Sequence, residues 1–229
     1  MLKRSITTNA VVLTLFALVT AGTLAVTQIT TKEPIERAIR KAQARALLEI
    51  IPLERHSNDL LVDTYPIPRS YWNQLGLKSG GDINLAREED GTITAVIIPS
   101  VTNDGYGGPI SLLVGVNRDG TIAGVRVTEH SETPGLGDKI EIKKSDWITT
   151  FNGKSLQDPQ PAQWKVQKDG GTFDQFSGAT ITPRAIVNQV KTVLEFVVSH
   201  QQPLFSAPVS KRAVEVEQPD TDTQTQEQQ

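Results

Sequence analysis

The sequence predicts an α+β fold: an antiparallel sheet with packed helices, on a single N-terminal transmembrane helix. Three observations predict it. Ala10 to Thr27 carries no charge, short β-type segments separated by turn residues run from Asn84 to Thr128, and an apolar stripe of helical period follows Pro183.

The uncharged run contains Val11-Val12-Leu13-Thr14-Leu15-Phe16-Ala17-Leu18-Val19. At ~1.5 Å per residue, Ala10 to Thr27 covers roughly 27 Å, enough to cross a bilayer's hydrocarbon core, and the anchor is placed at residues 10–28. Lys3 and Arg4 precede it, which assigns residues 1–9 to the cytoplasm and exports the bulk of the chain. Lys32, Arg37, Arg40, Lys41 and Arg45 follow the span and weaken that orientation. A cleaved signal peptide is the rival, with Thr23-Leu24-Ala25 as a loose cleavage site, but such apolar regions are usually shorter, ~7–15 residues. Residues 29–52 read as a helical stalk: Lys32 to Ile51 is rich in helix formers, Ala42, Ala46, Leu47 and Ile50 form a stripe, and Pro52 ends it.

A soluble domain occupies residues 53–203. His56 to Gly81 is irregular and reads as loop with a short edge strand. Glu89-Asp90-Gly91 is a turn before a buried strand, Ile93 to Ile98; Ile110 to Val116 is a second strand, and Arg118-Asp119-Gly120 turns the chain back into Ile122 to Thr128. Ser145 starts a short helix that buries Trp147 and Phe151. The last helix runs to about His200 with Ile186, Val190, Val193, Leu194 and Val197 on one face, Thr182 as its cap and Pro183 at its first position. Residues 204–229 turn to Gln, Glu, Thr, Asp and Pro and are expected to be a disordered acidic tail.

Composition excludes several functions. A formal charge of -3 and a pI near 5.7 supply no basic surface for nucleic acid. The absence of cysteine removes disulfides, thiolate nucleophiles and Cys-ligated zinc or iron–sulfur centres. His56, His130 and His200 have no paired ligand spacing, so no metal site is expected. Glu129, His130 and Glu132 suit an exposed strand end better than a catalytic set. The Asp104-Gly105-Tyr106-Gly107-Gly108-Pro109 loop lacks the Lys-Ser/Thr of a P-loop.

The stretch that organises the chain is Asp174-Gln175-Phe176-Ser177-Gly178-Ala179-Thr180-Ile181-Thr182-Pro183. Small residues ahead of a helix leave its positive end open to phosphate, although the same residues also suit a plain tight turn into a capped helix. A second shaped loop is Glu132-Thr133-Pro134-Gly135-Leu136-Gly137, and Lys168 lies in a turn just upstream of the first stretch.

The N-terminal anchor, Gly105-Tyr106-Gly107-Gly108, the Glu132 to Gly137 loop and Asp174-x-x-Ser177-Gly178-Ala179-Thr180 occur together. This combination resembles the G subunit of the Rnf-type, or Rsx-type, ion-translocating electron-transport complex. More distantly it resembles the C subunit of the sodium-pumping NADH:quinone reductase. The resemblance covers the chain from the anchor to about His200. It implies an FMN-binding domain at 53–203 and covalent FMN, joined through its phosphate to the Thr180 hydroxyl by a flavin transferase. Ser177, Gly178 and Ala179 would shape the approach to the phosphate, and Asp174 would be read by the transferase. Glu132, Thr133, Leu136 and Gly137 would be the second flavin contact, with Lys139 and Lys168 as lesser ones. Gln175 stands where the family often has Gly. The resemblance further implies a bacterial inner-membrane protein with its soluble domain on the periplasmic side. It would be a redox subunit without a catalytic residue of its own, partnered by membrane and peripheral subunits that couple ferredoxin/NAD electron transfer to ion movement. The alternative is a membrane-anchored binding or assembly module without a redox group. A Ser177 or Thr180 hydrolase is weaker, because no Gly-x-Ser-x-Gly elbow is present.

Overall fold

The computed structural model describes residues 2–210; the stretch 211–229, most of the expected acidic tail, lies outside the described residues. The chain divides between Gln43 and Ala44 into two units. The first is the bulk of helix α1 (Leu2–Ile50), which holds a window of mean hydropathy 2.2 with none of it buried, long and apolar enough to cross a membrane. Its threonines suit that environment. Thr14, Thr20, Thr23 and Thr27 each donate their hydroxyl to the carbonyl four residues back, at 2.8–2.9 Å, so no hydroxyl in the apolar run needs water. Beyond the run, Glu33 pairs with Arg37 and Lys32 with Glu36.

The second unit begins with the last turns of α1 and contains a five-stranded antiparallel meander in sequential order: β1 (Thr64–Pro66), β2 (Asp82–Arg87), β3 (Ile93–Thr102), β4 (Ile110–Asn117) and β5 (Ile122–Glu129). The edge strand falls within the segment expected to hold one, and both turns form where Asp90-Gly91 and Asp119-Gly120 predict them. Gly91 and Gly120 adopt φ of 83° and 84°, a left-handed conformation that side chains disfavour.

Both faces of the sheet are covered, which is why Ile93 to Ile98 is almost continuously apolar. Val96 and Ile98 face a large core shared with helix α2 (Ile181–Ser199), whose Ile186, Val190, Val193, Leu194 and Val197 are buried as the stripe predicts. Ala95 and Ile97, one residue out of phase, face Leu47, Ile50 and Ile51 at the end of α1. Of the expected stalk stripe, Leu47 and Ile50 are buried and Ala46 is half-buried, whereas Ala42 is exposed. The docking surface is made flat by glycine: a Cβ on Gly115 would lie 2.2 Å from Ile50 Cγ2. Arg126 closes the helix end, donating to the Glu49 carbonyl at 2.9 Å and to its carboxylate at 3.1 Å.

The C-terminal boundary corrects the expected tail at 204–229. A short helix α3 (Gln201–Phe205) buries Leu204 and Phe205, and Ala207 is buried after it. Arg87 holds this strap. Its guanidinium pairs with Asp63 at 2.7 Å and donates to the carbonyls of Ala207 at 2.8 Å and Pro208 at 3.1 Å, while Ser210 N–H reaches Asp63 at 3.3 Å. Composition averaged over 204–229 is polar enough to mask three apolar residues at its start.

Candidate functional site

The stretch from Asp174 to Thr180 is positioned by aromatic packing. The Ser145 hydroxyl caps the 3-10 helix Asp146–Phe151, which buries Trp147 and Phe151 as predicted. Trp147 meets Phe176 edge-on at 5.2 Å and donates its indole N–H to the Asp174 carbonyl at 2.8 Å. Phe151 stacks on Phe173 at 4.7 Å. With Phe173 and Phe176 fixed, Ser177 and Gly178 are forced outward. Phe176-Ser177-Gly178-Ala179 is a tight turn closed by Ala179 N–H on the Phe176 carbonyl at 3.1 Å, with Gly178 at φ 82°.

The helix start differs from expectation. α2 begins at Ile181, and Thr180, not Thr182, occupies the cap position. Thr180's carbonyl accepts from Arg184 N–H at 3.3 Å, but its side chain makes no cap hydrogen bond. Half-buried and without a hydroxyl partner among the described residues, Thr180 leaves the positive end of a 19-residue helix uncapped. Thr182 stands four residues before Ile186, on the buried stripe itself, and is fully buried. Its hydroxyl donates to Glu132 Oε2 at 2.5 Å. That i to i+4 relation was readable in the sequence; its partner fifty residues upstream was not.

The second loop comes to this helix start. A Cβ on Gly178 would lie 3.9 Å from Leu136 Cδ2, and one on Gly137 would lie 3.2 Å from Thr182 Oγ1. The structure therefore brings Glu132, Leu136 and Gly137 together with Gly178, Thr180 and Thr182. Leu136 is 45% exposed, and Thr133, Ser177 and Gly178 are exposed. Glu132 is only 5% exposed, and its other oxygen accepts from Gly107 N–H at 2.9 Å. Thus the Gly105 to Gly108 loop also belongs to this cluster.

The two lysines are peripheral. Lys139 is exposed and forms no hydrogen bond or ion pair among the described residues; its neighbour Asp138 instead accepts from Gly135 N–H at 2.8 Å and faces Lys144 at 3.6 Å. Lys168 is exposed and joins the site through its backbone N–H, which donates to the Gln175 side chain at 3.1 Å. That contact uses the residue at which this chain departs from the family's frequent Gly. Asp169, missed in the sequence, ties the same turn to α2 through Arg184 at 2.6 and 2.9 Å. The Arg184 hydrogen bond holds the Asp169 carboxyl below its usual value of 3.8. Such a depressed carboxyl stabilises the fold above its unfolded pKa, and the contribution is lost as pH falls through the folded value. The amide of Arg184, which donates to the Thr180 carbonyl at 3.3 Å, should therefore keep its protection from pH 8 to 5 in the native chain and exchange faster in Asp169→Asn even at pH 7. Equal protection in the two proteins would show that this pair does not hold the turn.

His130 is occupied structurally. The backbone N–H of Glu132 can only donate, so Nδ1 at 3.0 Å must accept, and the ring proton sits on Nε2, facing Glu141 at 3.0 Å.

An uncapped helix start beside a glycine-bearing loop is suited to an anionic group, in a sheet domain that follows a helix long and apolar enough to cross a membrane. Residues 105–195 match the family model described as the FMN-binding domain, and residues 1–50 match that of the RnfG N-terminal region. The G subunit of the ion-translocating oxidoreductase complex of Pseudomonas aeruginosa (strain UCBPP-PA14) is 46% identical over 204 residues, covering 89% of this chain and 94% of that one. Its counterpart in Vibrio vulnificus (strain YJ016) is 42% identical over 202 residues, covering 88% and 94%. Among solved structures, Shewanella oneidensis NqrC aligns at 24% identity with a TM-score of 0.45, over 62% of this chain and 69% of that chain. The chain belongs to the family of G subunits of the ion-translocating oxidoreductase complex.

Proposed function

We propose that this chain is the membrane-anchored electron-transfer subunit of such a complex, carrying FMN joined by a phosphoester to Oγ1 of Thr180. The observation that carries the reading is the Thr180 hydroxyl, unpartnered among the described residues at an uncapped helix start, two residues after the Gly178 that approaches Leu136. A phosphate fits there chemically: the free N–H groups and the positive end of α2 stabilise its charge. Ser177 and Gly178 keep the approach open, because neither is buried and Gly178 adds no side chain. The exposed Leu136 and the backbone of Thr133 to Gly137 would face the ring. Bound there, FMN supplies single-electron acceptance and donation, and the protein supplies its position and surroundings. No side chain has to move a proton, consistent with the structural occupation of His130.

The wider role follows from family membership and the anchor. In this reading a flavin transferase that reads Asp174 and Ser177 to Thr180 attaches the cofactor. The domain works on the periplasmic side of a bacterial inner membrane, and the complex couples ferredoxin/NAD electron transfer to ion translocation. The test is direct. Full-length chain made in cells containing the transferase should give a flavin-fluorescent band after denaturing electrophoresis, and Thr180→Ala should abolish it. A dark native band, or fluorescence that survives in Thr180→Ala, counts against the reading.

A further inference from the structure

We infer that Glu132 is a positioning residue that locks both loops to the first turn of α2, acting through Thr182 and Gly107. The inference rests on FMN being carried at Thr180. Glu132 has each carboxylate oxygen on a protein donor, Gly107 N–H at 2.9 Å and Thr182 Oγ1 at 2.5 Å, and its own N–H is taken by His130. Glu132 is 5% exposed and Thr182 0%. A carboxylate removed from water in this way is stable only while its donors are present, so the three segments cannot separate without leaving a buried charge unsatisfied. The first turn of a helix is also where a negative charge is favoured.

The surrounding glycines exist to admit this lock. A Cβ on Gly137 would lie 2.6 Å from Glu132 Oε2, and one on Gly105 would lie 2.8 Å from Oε1. Thr182 is two residues from Thr180, and Glu132 begins the loop that ends at Gly137. The bond between them therefore sets the register between the attachment point and the loop that faces the ring. Glu132 holds the two walls of the flavin site at a fixed spacing from beneath.

The consequence is a separation between attachment and enclosure. Thr182→Val keeps the side-chain shape but deprives Glu132 Oε2 of its donor. In full-length protein it should retain attached flavin, with a several-fold larger iodide quenching constant and a shifted midpoint potential. Thr182→Ser restores the donor and should return both quantities to native values. Because Thr182→Ser removes only a methyl group, it remains informative if Thr182→Val folds poorly. Native quenching and potential in Thr182→Val would overturn the inference, as would Thr182→Ser with the enlarged quenching constant expected of the valine variant. Failure of the underlying reading has a different signature, flavin that persists in Thr180→Ala.

Discussion

Arg87→Ala is expected to lower the thermal midpoint of the full-length chain by roughly 6–20 °C, combining ~3–5 kcal/mol for breaking a buried ion pair with about 2–4 °C per kcal/mol for a chain of this size. The cost arises on both sides of the pair. Among the described residues, Asp63, whose side chain is 2% exposed, would keep Asn58 at 3.0 Å and Ser210 N–H at 3.3 Å as partners. The carbonyls of Ala207 and Pro208 would lose their donors at the same time. Since those carbonyls lie on the strap that buries Leu204 and Phe205, chymotryptic cleavage at Phe205 should accelerate in parallel with the fall in midpoint. A double variant, Arg87→Met with Asp63→Leu, should recover part of the loss, because apolar replacement removes the stranded charge. A change of midpoint below about 1 °C in Arg87→Ala would show that the strap does not depend on the Arg87 hydrogen bonds.

The Arg87 clamp also marks where sequence reading stops. The sheet was legible because its signals are local: short apolar β-type runs, and Asp90-Gly91 and Asp119-Gly120 at the reversals. Helix α2 was legible because Ile186, Val190 and Val193 repeat at helical spacing. The positions of Thr180 and of the Glu132 to Gly137 loop were legible through their motifs. What could not be read is which distant polar residues meet. Arg87 with Asp63, Glu132 with Thr182 and Trp147 with the Asp174 carbonyl are pairings across 24 to 50 residues. A carboxylate or an indole in a sequence has many possible partners. The two threonines show the same limit at short range. Thr182 precedes a proline and reads as a cap, yet burial on the stripe gives its hydroxyl to Glu132 and leaves the cap position to Thr180.

Gly107→Ala is expected to destabilise the chain by ~1–3 kcal/mol, the usual range for forcing an extra methyl into a packed site. The added Cβ would lie 2.0 Å from the Ser131 carbonyl oxygen and 2.5 Å from its carbon, and backbone cannot swing aside as a long side chain can. Relief requires moving the Gly105 to Gly108 loop away from Ser131, which also stretches the hydrogen bond from Gly107 N–H to Glu132. The damage should therefore appear at a distance from the substitution: the amides of Leu136 and Gly137, which now donate to the Thr133 carbonyl at 3.1 and 3.0 Å, should exchange faster. Tyr106→Ala is the matched comparison. Tyr106 is 71% exposed, so its loss should change stability by no more than ~0.5 kcal/mol and leave those amides protected. If Gly107→Ala instead matches Tyr106→Ala in both measurements, the glycine loop can shift without disturbing Glu132 or the Thr133 to Gly137 loop.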